Sequence, residues 1–120
     1  MAIDIRAYMA AVPEIDRFLS VDELHAEMDR VASDYPDLAS VKRVGSSTLG
    51  EPIRILSIGS GSRHIVLVGC PHPNEPIGAM MLHHLARTLC ENAALRDALD
   101  FTWHMIPAID VDGTRLNEGW

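Results

Sequence analysis

Apolar positions in the first third of the chain recur at a helical spacing. Leu24, Met28 and Val31 stand at i, i+4 and i+7, which is typical of a helix that buries one face. The preceding Ser20-Val21-Asp22-Glu23 has the form of a capping box, in which the Ser and Glu side chains bond the first free backbone amides. Tyr35-Pro36 predicts the end of this helix, because the residue before a proline avoids the helical conformation.

The segments after this helix have the composition of β-strands. Two β-type runs at 40–46 and 52–58 are joined by a short loop that contains Gly50, so we expect an antiparallel hairpin. The run from His64 to Gly69 is continuous and rich in β-branched residues. Such a run predicts the central strand of the sheet, buried on both faces.

The remaining elements complete a strand-helix-strand unit. Pro76 to Leu89 contains good helix formers with apolar residues at Ile77, Met81 and Leu85, and predicts a helix that crosses back over the sheet. A shorter helix is expected at 93–99, and a last strand at 101–106. This order favours a right-handed βαβ crossover. The fold class is therefore α/β, with a mixed, mainly parallel sheet and crossover helices.

Composition and length narrow the class of protein. The 120 residues are 48% hydrophobic and 22% charged, without a repeat or linker, which predicts one domain or part of one. Residues 1–19 show no clear period and form an amino-terminal arm, either a short helix or an extended segment. A formal charge of -7 leaves no basic stripe for nucleic acid.

The cysteines and the apolar runs indicate the cellular compartment of the protein. Cys70 and Cys90 lie far apart in unlike contexts, so we expect reduced core thiols and a cytoplasmic protein. The first residues are interrupted by Asp4 and Arg6, which argues against a signal peptide. No run approaches the roughly 20 apolar residues of a membrane span.

The loop after the predicted central strand contains the best candidate for chemistry. His72 and Glu75 stand three residues apart where ligands bind in open α/β sheets, beyond the carboxyl end of a strand. An imidazole and a carboxylate at this spacing suit Zn²⁺. The alternative is a surface loop whose Glu75 faces the positive end of the following helix. Spacing and position alone weigh the two about equally.

A second polar loop follows the last strand, at 107–120. Arg115 has a guanidinium that can hold a carboxylate, and Asn117 adds an amide to the same ligand. The alternative, a solvated turn at Asp112-Gly113 with a surface arginine, is favoured by the residues alone.

Several short motifs occur together and in a fixed order. They are Tyr35-Pro36-Asp37-Leu38, Val44-Gly45-Ser46-Ser47, Gly50-Glu51-Pro52-Ile53, Leu56-Ser57-Ile58-Gly59, His72-x-x-Glu75 and Ile106-Pro107-x-x-Asp110-x-Asp112-Gly113. In this order the chain resembles the start of the zinc carboxypeptidase family, typified by carboxypeptidase A. The resemblance runs from about Ser20 to Asn117, and the joint occurrence of the motifs is far more specific than any one of them.

The resemblance implies a function and a set of roles. His72 and Glu75 would bind Zn²⁺ together with a second histidine much later in the chain, and a glutamate would act as general base on a water. Arg115 and Asn117 match the side chains that hold the substrate's terminal carboxylate and the developing oxyanion. The expected reaction is hydrolysis of a peptide or amide bond next to a free carboxylate.

The same resemblance implies that the site is incomplete. The family's third metal ligand, its general-base glutamate and its pocket tyrosine would lie beyond Trp120, so residues 20–120 are expected to be the amino-terminal portion of a catalytic domain. His64, His83, His84 and His104 are each expected to be helix-surface or sheet residues rather than the missing ligand. Alone, such a chain should be a poor catalyst.

Two other functions stay open. The related amidohydrolases aspartoacylase and succinylglutamate desuccinylase share His-x-x-Glu, so the resemblance leaves open whether the expected substrate is a peptide or an acyl-amino acid. A non-catalytic subunit of the same fold would dock on the remainder of the enzyme or on a self-associating partner, which would cover an open sheet edge.

Overall fold

The computed structural model describes residues 3–119, which contain five helices and four strands. The helices are α1 (Ile5–Ala10), α2 (Val21–Asp34), α3 (Ile77–Glu91), α4 (Ala93–Leu99) and α5 (Val111–Leu116). The strands are β1 (Ala39–Ser46), β2 (Pro52–Ile58), β3 (Arg63–Val68) and β4 (Phe101–Ile106). Helices α2 to α4 and all four strands match the predicted elements within a few residues.

The predicted capping box starts α2. The Ser20 hydroxyl accepts a hydrogen bond from the Glu23 amide at 3.2 Å, and the Glu23 carboxylate accepts one from the Ser20 amide at 2.8 Å. The predicted apolar face is buried: Leu24, Met28 and Val31 are at most 4% exposed. Sequence and packing therefore agree on where this helix begins and which face it turns inward.

The four strands form one sheet in the order β1-β2-β4-β3. The predicted hairpin is confirmed, since β1 and β2 pair antiparallel, and β3 and β4 are parallel across the α3–α4 crossover. Strand β2 also pairs antiparallel with β4. The sheet is mixed, as predicted. Among the described strands, however, one pairing is parallel and two are antiparallel, so the sheet is less parallel than expected.

Strand β3 does not lie where its sequence predicted. Among the described residues it pairs only with β4 and so forms an edge of the sheet, whereas β2 and β4 are the central strands. Val66 and Val68 are 60% and 45% exposed on one face, while Ile65 and Leu67 pack against the core on the other. A continuous β-branched run shows that a strand is apolar on both faces, but it does not show what covers the second face.

Helix α3 forms over the predicted segment but presents a different face to the core. Ile77 and Met81 are 61% and 51% exposed. The helix is apolar on more than one side, so spacing alone could not choose the buried one. Ile77 and Met81 line a groove together with Ile5 and Met9 of α1. Helix α1 shows that part of the arm at residues 1–19 is a short helix. The buried residues of α3 are Ala79, Met80, Leu82, Ala86, Leu89 and Cys90.

Helices α2 and α3 cover one face of the sheet, and the main core lies between. Leu56 and Ile58 of β2 and Trp103 and Met105 of β4 point into it. Cys70 and Cys90 are both buried, and neither forms a disulfide. Burial raises the pKa of the Cys90 thiol to about 11. Within residues 3–119, the helices are too short or too polar to cross a lipid bilayer.

Candidate active site

The two predicted loops meet at the carboxyl edge of the parallel pair β3 and β4. The Gly69 amide donates to the Ile106 carbonyl at 2.7 Å, and the Ile109 amide donates to the Gly69 carbonyl at 3.1 Å. The Asp110 amide then donates to the Cys70 carbonyl at 3.4 Å. These bonds continue the ladder past the end of the sheet, so the loop at 69–76 and the segment at 107–117 are held side by side.

Gly69 is the tightest point of this junction. A Cβ atom built there would lie 2.4 Å from the Pro107 carbonyl oxygen and 3.1 Å from the Ala79 Cα atom. Real Cβ atoms do not approach backbone that closely, so this position requires glycine. The chain then turns sharply at Cys70, whose φ of 47° lies in the left-handed region.

His72 and Glu75 lie together at the tip of the first loop. The His72 Nδ1 atom is 3.3 Å from the Glu75 Oε2 atom, and the Glu75 amide donates to the His72 carbonyl at 3.0 Å, which closes a turn. Their side chains are 72% and 66% exposed. Pro71 and Pro73 flank the histidine and restrict the loop backbone.

This pair fits a zinc ion in the chemistry of its donors. Zinc in proteins takes imidazole nitrogen and carboxylate oxygen at about 2.0–2.2 Å, and both donors here are open to solvent on one loop. They would supply two of the ligands of such an ion. In residues 3–119 no group of three or more His, Cys, Asp or Glu side chains is arranged to hold a metal ion.

Asp110 and Gly113 pack the second segment against the first. The Asp110 carboxylate accepts from the Gly113 amide at 3.0 Å and caps α5. A Cβ atom at Gly113 would lie 2.5 Å from the Asp110 carboxylate and 2.8 Å from Pro73 Cγ. A side chain at this position would therefore push on the loop that carries His72.

Asp112-Gly113 is not the predicted turn but the first turn of α5. The Asp112 carboxylate accepts from the Ser47 hydroxyl at 2.6 Å and from the Leu49 amide at 3.1 Å, so it ties α5 to the β1–β2 loop. This role of Asp112 was not predicted from the sequence. The signal for the helix was present, because Asp110 is a good N-cap residue and Asp112 is an acidic residue in a first turn.

Arg115 lies where α5, α2 and the β1–β2 loop converge. Its Nη2 atom is 2.8 Å from Asp22 Oδ1 and 3.0 Å from Glu51 Oε2. Hydrogen bonds to Asp22 and Glu51 raise the pKa of Arg115, and Arg115 in turn lowers the pKa of Asp22. Its side chain is 28% exposed. In this structure Arg115 connects three elements.

Asn117 is bonded within its own helix end. Its Nδ2 atom donates to the Gly113 carbonyl at 2.9 Å. Contact with a substrate carboxylate, the predicted role of Arg115 and Asn117, stays a prediction. Among the described side chains, the buried Arg115 Nε atom is one that has no hydrogen-bond partner.

The order of elements and the placement of both loops can now be compared with known proteins. A family model described as zinc carboxypeptidase matches residues 24–119, most of the chain. The chain belongs to the zinc carboxypeptidase family. The match covers the loop with His72 and Glu75 and nearly all of the segment after β4, which confirms the resemblance drawn from the motifs.

Curated relatives agree with this zinc carboxypeptidase assignment. Carboxypeptidase B of Astacus astacus is 32% identical over 97 residues, which cover 77% of this chain and 32% of that protein. Carboxypeptidase E of Caenorhabditis elegans is 29% identical over 110 residues, which cover 81% of this chain and 23% of that protein. The chain thus spans about a quarter to a third of the length of these relatives.

Solved structures show the same zinc carboxypeptidase fold. Carboxypeptidase A from Helicoverpa armigera has a TM-score of 0.77 at 20% identity, covering 95% of this chain and 31% of that one. Bovine thrombin-activatable fibrinolysis inhibitor, in complex with a tick carboxypeptidase inhibitor, has a TM-score of 0.77 at 17% identity, covering 86% of this chain and 34% of that one.

Proposed function

We propose that this chain contributes the first two metal ligands of a zinc-dependent carboxypeptidase-like hydrolase, which cleaves a peptide or amide bond next to a free carboxylate. The observation that supports it is the placement of His72 and Glu75, side by side and solvent-open at the carboxyl edge of β3. Family membership makes Zn²⁺ the expected ion. The chemistry that such an ion supplies is polarisation of a carbonyl and activation of a water molecule.

The chain's own residues have a positioning role in this proposal. The ladder through Gly69 and the contact of α5 with Pro73 hold the loop, so that little loop entropy is lost when both ligands engage one ion. In this proposal, the third zinc ligand and the general-base glutamate are residues outside 3–119. Arg115 and Asn117 are the proposed contacts of the substrate's carboxylate.

The test is metal content and hydrolysis, measured on this chain and on an extended chain. We expect the extended chain to bind one zinc and hydrolyse carboxyl-terminal residues, and this chain alone to be nearly inactive. His72→Ala and Glu75→Gln should abolish activity of the extended chain. His83→Ala is the matched control, because His83 also lies beside a glutamate, 4.0 Å from Glu27, but on helix α3.

Two outcomes would refute the proposal. Robust hydrolysis by this chain alone would show that the site is not incomplete. An extended chain that hydrolyses its substrate equally well after His72→Ala would show that the assigned ligand is wrong.

A non-catalytic assembly role is the second candidate, and the exposed edge at β3 favours it. Val66 and Val68 are exposed on a strand that is paired on one side among the described residues. Light scattering separates the candidates: a folded, strictly monomeric chain contradicts self-association, whereas a stable oligomer without activity in any extended form supports it.

A further inference from the structure

Helix α3 is apolar on two sides, and one of them faces away from the core. Leu82 and Leu89 on its inner side are at most 2% exposed and belong to the main core. Ile77 and Met81 stand four residues apart on its outer side, and both are more than half exposed. A helix that is apolar all round is normally buried all round. Residues 3–119 therefore leave open a side of α3 whose sequence predicts burial.

The arm before α2 adds more apolar residues to this outer side. Helix α1 and the residues after it form the opposite wall of a groove of about 450 Å³ along α3. The exposed apolar residues of the arm that line the groove are Ile5, Met9, Val12 and Ile15. The first three follow the i, i+4, i+7 spacing by which amphipathic helices dock into apolar grooves. The chain thus offers both a docking helix face and an apolar groove.

These six residues form a patch, here called the α1–α3 patch, that is large enough for a protein interface. Large apolar residues that are about half exposed present on the order of 100 Å² each, so the patch presents roughly 600 Å². The largest apolar patch on a typical monomer is about 300–600 Å². Each partner in a stable interface buries about 800 Å². Contact through the α1–α3 patch and its rim would therefore bury about the area that a stable dimer needs.

The charges around the α1–α3 patch select the kind of partner. Of the described residues that line the groove, none is Asp, Glu, Lys or Arg. A lipid surface or a nucleic acid favours a basic rim, but in the arm Asp4, Glu14 and Asp16 outnumber Arg6 and Arg17, and the chain has a formal charge of -7. Two copies of this acidic chain can meet at an uncharged patch, because no like charges are brought together in the contact.

We propose that the α1–α3 patch binds the same patch of a second copy, so that the chain forms a dimer about a two-fold axis. A two-fold contact uses one self-complementary surface twice, so the apolar residues of each copy are covered by those of the other. Each copy contributes the helix face of α1 and the groove beside α3. The proposal does not depend on the proposed function, because neither His72 nor Glu75 lines the groove.

The experiment is sedimentation equilibrium of the full chain from low micromolar to submillimolar concentration. We expect the mass to rise toward twice the chain mass of 13.2 kDa. Met9→Glu on α1 and Met81→Glu on α3 each place an unpaired charge in the contact, and each should weaken dimerisation by at least about 100-fold. Both side chains are more than half exposed in the single chain, so both variants should fold, which circular dichroism checks.

Leu49→Glu and Val66→Glu are the matched controls, because both residues are exposed and apolar but lie outside the α1–α3 patch. Both variants should dimerise as the unmodified chain does. A chain that stays monomeric at every concentration would overturn the proposal, as would a dimer that Met9→Glu and Met81→Glu leave unchanged. Loss of the dimer in Val66→Glu would also overturn it, by assigning the contact to the β3 edge.

A small apolar ligand is the other possible occupant of the groove, and a laurate titration tests it. The proposal predicts that laurate neither binds in the groove nor dissociates the dimer. A monomeric chain that binds laurate, and loses that binding in Met81→Glu, would show that the groove holds an acyl chain rather than a second copy.

Discussion

Gly69→Ala tests whether the junction of the two loops depends on backbone contact. The added Cβ atom would lie 2.4 Å from the Pro107 carbonyl oxygen, about 1 Å closer than the 3.4 Å at which ordinary contact begins. To relieve this, the ends of β3 and β4 must separate. The separation strains the bonds from the Gly69 amide to Ile106 and from the Ile109 amide to Gly69.

The size of the effect follows from these contacts. Each backbone hydrogen bond contributes about 1 kcal/mol net, and overpacking costs about 1–3 kcal/mol, so we expect a loss of about 3 kcal/mol in the free energy of unfolding. Urea unfolding followed by circular dichroism measures it. The same variant should bind zinc more weakly, because the loop that carries His72 moves with residue 69.

Gly78→Ala is the matched control for this prediction. It lies in α3 next to Gly69, and a Cβ atom there meets Gly69 Cα at 3.7 Å, which is ordinary contact. Replacing a helical glycine with alanine should stabilise by up to about 1 kcal/mol. If Gly69→Ala lowered stability by less than about 1 kcal/mol, the reasoning about the junction would be wrong.

Three further substitutions test the packing and the electrostatics by the same unfolding assay. Leu89→Ala empties a fully buried position and should cost about 2–5 kcal/mol. A hydrogen bond from Arg17 helps to lower the pKa of Glu23 to about 2, below its usual 4.5. The stability that the ionised Glu23 carboxylate contributes is therefore complete above about pH 4.5 and is lost as pH falls toward 2. Glu23→Gln should therefore differ most from the unmodified chain near neutral pH and converge with it in acid. Arg115→Ala removes the ion pair with Asp22 and should destabilise at low ionic strength, with a smaller loss in about 1 M salt.

Local signals in the sequence were sufficient to predict most of the helices and strands. The capping box at Ser20 and Glu23 defined the start of α2, and the Gly-containing loop defined the hairpin, because these interactions are made within a few residues. The ordered motifs also placed His72 and Glu75 on one loop after a strand. Short-range chemistry explains this success.

The failures concern contacts between distant segments. Nothing near β3 in sequence shows what covers its second face, and α3 has apolar residues on more than one side. The ion pairs of Arg115 with Asp22 and Glu51, which are 93 and 64 residues away along the chain, were not predicted, and its contact with a substrate stays a prediction. Such pairings depend on how the elements pack, and motif spacing does not contain them.

Nuclear magnetic resonance of the histidine ring nitrogens during a Zn²⁺ titration tests the central claim most directly. The account predicts that the His72 ring nitrogens shift and saturate, and that Glu75→Gln weakens this response while His83→Ala does not. A His72 signal that stays unchanged while another histidine saturates with zinc would contradict the assignment of this loop as the metal site.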